Sequence, residues 1–222
     1  MNFDISNLIL HKSSFLTDEE CKILKKYFEK NKKKGVKEKC PEATTGIDTW
    51  SSFNVIDVPC GIKEYKIIHS AIEKVINLYH EHTDKFDMFH VCRKDKLLYS
   101  HKIRLMKYDT GAKIHAHVDH ENYEYGSCTF NLNDDYEGGE FCFFKNKIKY
   151  NLKKGDVLIF PASPYWVHEV KPITKGVRYS VNTFLLSVPE SINREVADYR
   201  NSLLKNYKFS IKDGLTYKIK ET

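Results

Sequence analysis

Residues 115–120 read "HAHVDH", and the fold turns on how many of the six are metal ligands. Counted as H-x-H-x-D-H, the stretch offers His115, His117, Asp119 and His120, enough to begin a site for a pair of metal ions. Counted as H-x-D, it offers His117 and Asp119 alone. In a β-strand, residues i and i+2 face the same side, so this shorter pair projects together from one strand. The first count needs several more ligands downstream. The second needs one further ligand from a neighbouring strand.

The chain as a whole narrows the choice. Its 222 residues suit one domain with extensions. At 41% hydrophobic it can bury a core that offsets its ordering entropy. No window reaches the roughly 18 apolar residues of a membrane span. The start, "MNFDISNLILHKSS", lacks the basic end, apolar core and cleavage site of a signal peptide. A cytoplasmic protein without a membrane partner is expected. Cys21, Cys40, Cys60, Cys92, Cys128 and Cys142 include no C-x-x-C pair, which fits free thiols in a reducing compartment. The net charge of +6 is densest in "KNKKKGVKEK" at 30–39. No aromatic residue is interleaved there for base stacking, so it reads as a solvated helix end, and a nucleic-acid partner is not expected.

A helical front precedes a strand-rich back. "TDEE" at 17–20 is a capping box, followed by Cys21, Leu24, Tyr27 and Phe28 at helical spacing until Gly35. A second stripe, Ile68, Ile72, Val75, Ile76 and Tyr79, predicts a longer helix with one buried face. Residues 36–60 between them predict a loop and a strand. From residue 97, "KIRLMKY", "SCTFNLN", "GEFCFF", "KIKYNL", "DVLIFP", "WVHEV" and "RYSVNTFLL" read as strands broken by Gly and Pro turns. Short strands without intervening helices point to a barrel, sandwich or jelly roll. "ESINREVADYRNSLLKNY" after Pro189 reads as a helix, and the last dozen residues carry no pattern.

This context weighs against the longer count, which resembles the metallo-β-lactamase signature. Only His168 follows His120, and no αβ alternation follows the motif. The shorter count finds its third ligand in His168, within "YWVHEV". Ten positions later stands Arg178, and Arg178 and Ser180 share one strand face. A buried guanidinium beside a hydroxyl is a good receptor for a carboxylate, because its fork engages both oxygens.

At this point the resemblance becomes specific. "YDTGAKIHAHVD", "LNDDYEGGEF", "KKGDVLIFP" and "HEVKPITKGVRYS", in order over residues 108–180, resemble the successive blocks of the prolyl 4-hydroxylase-like branch of the 2-oxoglutarate- and Fe(II)-dependent dioxygenases. "NLILHKSSFLTDEECKILKKYF" is similar to the strand and helix with which that family often begins. The resemblance implies an α+β, mainly β fold, a double-stranded β-helix (jelly roll) with amino-terminal supporting helices. The expected division is a support region at 1–96, a catalytic core at 97–188 and a helix and tail at 189–222, together one compact catalytic domain.

The resemblance further implies Fe(II) on His117, Asp119 and His168. It implies 2-oxoglutarate with its distal carboxylate on Arg178, near Ser180, Tyr108 and Asn131, where many relatives carry a tyrosine in place of Asn131. O2 is the oxidant, and there is room for ascorbate. The implied partner is a protein or peptide containing proline. Another peptidyl residue or a free amino acid is the alternative acceptor. A nucleic-acid demethylase would resemble a pattern with a second arginine at 184, where this chain has Phe184. His115 reads as structural and His120 as facing away. Tyr123, Tyr165 and Trp166 read as entrance or core residues, and 83–100 and 120–127 as loops that close over a peptide.

Overall fold

Local signals set the amino-terminal elements. In this computed structural model, which describes residues 4–40, 51–86, 97–119, 123–205, 207–212 and 216–221, strand β1 (Leu10–Lys12) leads into helix α1 (Asp18–Asn31). The capping box forms as predicted. Thr17 N–H donates to the Glu20 carboxylate at 2.8 Å, and Glu20 N–H donates to Thr17 Oγ1 at 3.3 Å, satisfying two otherwise free amides. Residues 36–60 hold two strands where one was expected, β2 (Val36–Cys40) and β3 (Ser51–Asp57), paired antiparallel. Helix α2 (Lys63–Thr83) buries the predicted stripe Ile68, Ile72, Val75, Ile76 and Tyr79. Among the described residues no helix is long and apolar enough to cross a membrane.

The strands that follow are β4 (Tyr99–Tyr108), β5 (Ile114–His117), β6 (Glu124–Asn131), β7 (Tyr136–Gly138), β8 (Phe141–Phe143), β9 (Ile148–Tyr150), β10 (Val157–Pro161), β11 (His168–Val170), β12 (Ile173–Gly176) and β13 (Arg178–Leu186). Helix α3 (Glu190–Lys205) follows Pro189 as expected. The residues after α3, to which no element was assigned from sequence, form an antiparallel hairpin of β14 (Tyr207–Lys212) and β15 (Thr216–Glu221).

Seven strands make one sheet in the order β1-β10-β6-β13-β4-β3-β2, and four make a second, β5-β11-β8-β9. Strand alternation sorts the large sheet into two faces. Cys128, Phe130, Val157, Ile159, Tyr179, Val181 and Leu185 pack with the buried stripes of α1 and α2. The other face carries Phe53, Val55, Met106, Tyr108, Leu158 and Phe160, and packs against Ile114, Phe141, Phe143 and Val170 of the small sheet. The result is a double-stranded β-helix backed by helices. Each fully buried Leu, Ile or Phe contributes about 1.5–3 kcal/mol. Asp156, 2% exposed, ties the amino terminus to this frame by accepting from Lys153 N–H at 2.9 Å and Ser14 N–H at 3.2 Å and contacting His11 Nε2 at 2.9 Å.

The glycine pair of "YEGGEF" has a steric reason. Gly138 sits at φ +79°, and a Cβ there would collide with the Pro172 carbonyl oxygen and lie 2.9 Å from Thr174 N. Both obstacles are backbone, so neither can swing aside. Gly138→Ala is expected to destabilise the protein by about 2 kcal/mol or more in urea unfolding. A loss below roughly 0.5 kcal/mol, the range of ordinary surface changes, would show that the Pro172 turn yields.

Candidate active site

The antiparallel pairing of β5 with β11 sets His117 directly opposite His168. Asp119 lies two residues beyond the end of β5 rather than inside the strand, and its carboxylate turns back between the two imidazoles. Oδ1 is 3.2 Å from His117 Nε2, and Oδ2 is 3.2 Å from His168 Nε2. The ligand atoms of the three residues lie within 4.8 Å of one another, the one such group among the described residues.

Both histidines are held in the orientation a metal needs. His117 Nδ1 contacts the His115 carbonyl at 2.7 Å, and His168 Nδ1 contacts the Trp166 carbonyl at 3.0 Å. A carbonyl can only accept, so each Nδ1 carries a proton, and each Nε2 is the atom turned to the shared centre. The His168 ring is further fixed by stacking on Phe141, with centroids 5.3 Å apart, and by the edge of Phe160 at 4.9 Å. Burial pushes the Asp119 carboxyl up, yet the hydrogen bonds and charges of His168 and His117 outweigh it and hold the carboxyl well below the usual range. Burial likewise disfavours charge on His117, and Asp119 reverses that, so the imidazole's pKa is raised. Once a metal replaces the Nε2 protons shared with Asp119, two imidazoles and one carboxylate aimed at one centre fit a facially bound Fe(II).

A narrow cleft runs from this centre between the sheets to Arg178. Its walls include Tyr108, Ile114, Thr129, Phe141, Val170 and Asn182. Arg178, Ser180 and Asn182 alternate along β13, flanked by Tyr108 on β4 and by Thr129 and Asn131 on β6. Arg178 is 1% exposed. Its guanidinium lies over the Tyr108 ring at 5.1 Å, and its Nε–H donates to Asn131 Oδ1 at 2.9 Å. Arg178 Nη1, Ser180 Oγ and Thr129 Oγ1 are buried without a hydrogen-bond partner. Ser180 lies within electrostatic reach of the Tyr108 hydroxyl, but the two make no hydrogen bond of sound geometry. Burial raises the Tyr108 phenol pKa, partly offset by the Arg178 charge. Unmet polar groups lining one cleft are what a bound carboxylate would satisfy.

Of the seven residues singled out from sequence, His117, His168, Arg178 and Tyr108 line the cleft, Asp119 bridges the two histidines, Ser180 stands two positions beyond Arg178 on β13, and Asn131 lies beside Arg178 with its own polar atoms already engaged. Thr129 and Asn182 were missed. Stepping by two from Asn131 and from Ser180 would have found both. Trp166, 5% exposed, packs on Phe143 and Phe144 as core, whereas Tyr165 is 82% exposed. His120, and residues 87–96 and 120–122 of the two proposed covering loops, lie outside the described residues.

Residues 103–186 match the 2OG-Fe(II) oxygenase superfamily, and the match spans the triad and Arg178. A PKHD-type hydroxylase of Synechococcus sp. (strain JA-2-3B'a(2-13)) is 26% identical over 113 residues, which cover 46% of this chain and 49% of the relative. The match thus spans about half the length of such curated relatives. The fold superposes on a prolyl hydroxylase from Trichoplax adhaerens, in complex with a hypoxia inducible factor oxygen degradation domain peptide fragment. That match has a TM-score of 0.64 and 14% identity, covering 86% of this chain and 88% of that one. It also superposes on the 2OG complex of a viral collagen prolyl hydroxylase from Paramecium Bursaria Chlorella virus-1, with a TM-score of 0.59 and 17% identity, covering 82% and 97%. The chain therefore shares the double-stranded β-helix fold of these solved structures.

Replacing His117, Asp119 or His168 with alanine is expected to reduce bound Fe(II) from one per chain to near zero, read by elemental analysis, without loss of the folded state by circular dichroism. A variant that keeps one tightly bound iron would remove its residue from the ligand set. Two zinc ions per wild-type chain would restore the dinuclear reading.

Proposed function

We propose that this protein is a 2-oxoglutarate- and Fe(II)-dependent dioxygenase that hydroxylates a C–H bond of a peptidyl proline. The observation that carries the reading is a buried guanidinium with an unpartnered Nη1 in the same cleft as the His117, Asp119 and His168 triad. These three residues would hold the iron. Arg178, with Ser180 beside it and Tyr108 beneath, would take the distal carboxylate of 2-oxoglutarate. When bound, iron and co-substrate supply the oxidation, in which O2 converts 2-oxoglutarate to succinate and carbon dioxide and delivers one oxygen to the acceptor.

The chain's own task is to aim both ends of the co-substrate and to keep water out. Ile114, Phe141 and Val170 supply the apolar wall between the metal and Arg178, and a dry wall strengthens the ionic contact. Proline as acceptor is supported by the prolyl hydroxylases on which the fold superposes. Its preset φ lowers the ordering cost of seating an extended peptide. Against nucleic-acid demethylation, position 184 is a phenylalanine, with Arg104 stacked over its ring at 5.2 Å.

Two experiments test this. Incubation with Fe(II), 2-oxoglutarate, O2 and a library of proline-containing peptides should yield a gain of one oxygen confined to proline, read by mass spectrometry. Succinate formation stimulated only by free amino acids or methylated nucleic acid would reject the acceptor while leaving the iron chemistry intact. Arg178→Ala should weaken 2-oxoglutarate binding by about 2–5 kcal/mol in calorimetry, the usual consequence of truncating one partner of a buried charge pair. Arg178→Lys should recover only part, because a point charge cannot reproduce the fork. Unchanged affinity in Arg178→Ala would mean that another group holds the distal carboxylate.

A further inference from the structure

We propose that Asn131 is a positioning residue for Arg178, orienting its guanidinium toward the co-substrate's distal carboxylate without touching the co-substrate itself. The proposal rests on the 2-oxoglutarate reading above and deepens it. Asn131 is fully buried, at 0% exposure. The atom it turns toward Arg178 Nε, 2.9 Å away, must be its oxygen, because Nε–H can only donate. That fixes the amide's orientation. Nδ2 then meets the carbonyl oxygens of Asn133 at 2.6 Å, Leu152 at 3.1 Å and Lys153 at 3.4 Å, and the Tyr136 hydroxyl at 3.1 Å. An amide has two N–H hydrogens, so these acceptors already outnumber its donors. Nothing on Asn131 is left for a ligand.

The residue is as well fixed as its amide. Its N–H donates to the Asp156 carbonyl at 2.9 Å, its carbonyl accepts from Gly155 N–H at 2.8 Å, and it lies opposite Ser180 in the β6–β13 register. Arg178 is consequently gripped on three sides. Asn131 takes Nε, the Tyr108 ring covers one face, and the stem runs past Gly139, where a Cβ would come within 3.5 Å of Arg178 Cδ. Nη1 is the buried corner left without a partner.

The chemistry of the amide matters as much as its place. A carboxylate at position 131 would orient the guanidinium equally well, but it would neutralise the charge that a dicarboxylate seeks. An amide oxygen orients without neutralising. Asn131 therefore sets affinity for the distal carboxylate while contributing no contact to the rest of the ligand.

The test compares two ligands on protein loaded with Mn(II) under nitrogen, so that no turnover is involved. 2-Oxoglutarate carries the distal carboxylate, and 2-oxopentanoate has the same chain length without it. Asn131→Ala should weaken 2-oxoglutarate roughly tenfold or more, as expected when a buried charged hydrogen bond is left unmade, and leave 2-oxopentanoate within about twofold. In an Arg178→Leu background, Asn131→Ala should cost nothing further, because the residue acts through the arginine. If Asn131→Ala melts early, Asn131→Ser keeps a hydroxyl in the site and is held to the same criteria. Unchanged 2-oxoglutarate affinity, equal weakening of both ligands, or a full additional loss on Arg178→Leu would each overturn the proposal. Wild-type protein that fails to bind 2-oxoglutarate would overturn the reading beneath it, and that failure is recognisable because it precedes any substitution.

Discussion

A guanidinium at 1% exposure, with a neutral amide at Nε and an aromatic ring at its face but no carboxylate paired with it among the described residues, is the constraint around which this structure is arranged. Taking a charge out of water costs several kcal/mol even after relaxation, and a neutral acceptor recovers only part of that. Arg178 opens the strand at the centre of the large sheet, where β4 and β6 flank it on both edges. The surroundings are accordingly rigid. They hold the charge in one orientation and leave Nη1 facing a cleft. A dicarboxylate's distal end would complete the compensation that the fold withholds.

The other end of the cleft is built by an opposite strategy. Arg178 awaits its counter-ion, whereas His117 and His168 share theirs in Asp119. Backbone carbonyls two residues upstream hold a proton on both Nδ1 atoms, so a metal would meet two Nε2 atoms already aimed at it and would displace only the protons they share with Asp119. The ligands rise from the small sheet and the carboxylate receptor from the large one. Neither sheet holds the site alone. Their face-to-face packing through Phe141, Phe143, Met106 and Phe160 sets the span between the triad and the guanidinium, which ties core packing to the length of a ligand that could bridge them.

Much of this was legible one segment at a time. The capping box at Thr17 and Glu20, the stripe of α2, the seven strand segments and the shared face of Arg178 and Ser180 all depend on neighbours a few residues apart, and all appear in the structure. The second strand within 36–60 was not legible, because lysine-rich β2 has a weak strand pattern of its own and its pairing with β3 defines it. The terminal hairpin was legible but left unread, since Tyr207, Phe209 and Ile211 alternate with Lys208, Ser210 and Lys212.

The sequence by itself determined which side chains could act together along a strand, because a period of two is a local property of extended backbone. It determined the H-x-D pair, the single downstream histidine and the arginine ten positions beyond it. Only the tertiary structure decided what lies across from each. Asn131 reaches Arg178 across 47 residues of chain, through a β6–β13 register that no short-range pattern encodes. That register turned a presumed ligand-binding amide into the partner of the guanidinium, and it brought Thr129 to the cleft. The physical reason is that hydrogen bonds between strands join residues far apart in sequence, so their partners are settled when the sheets close.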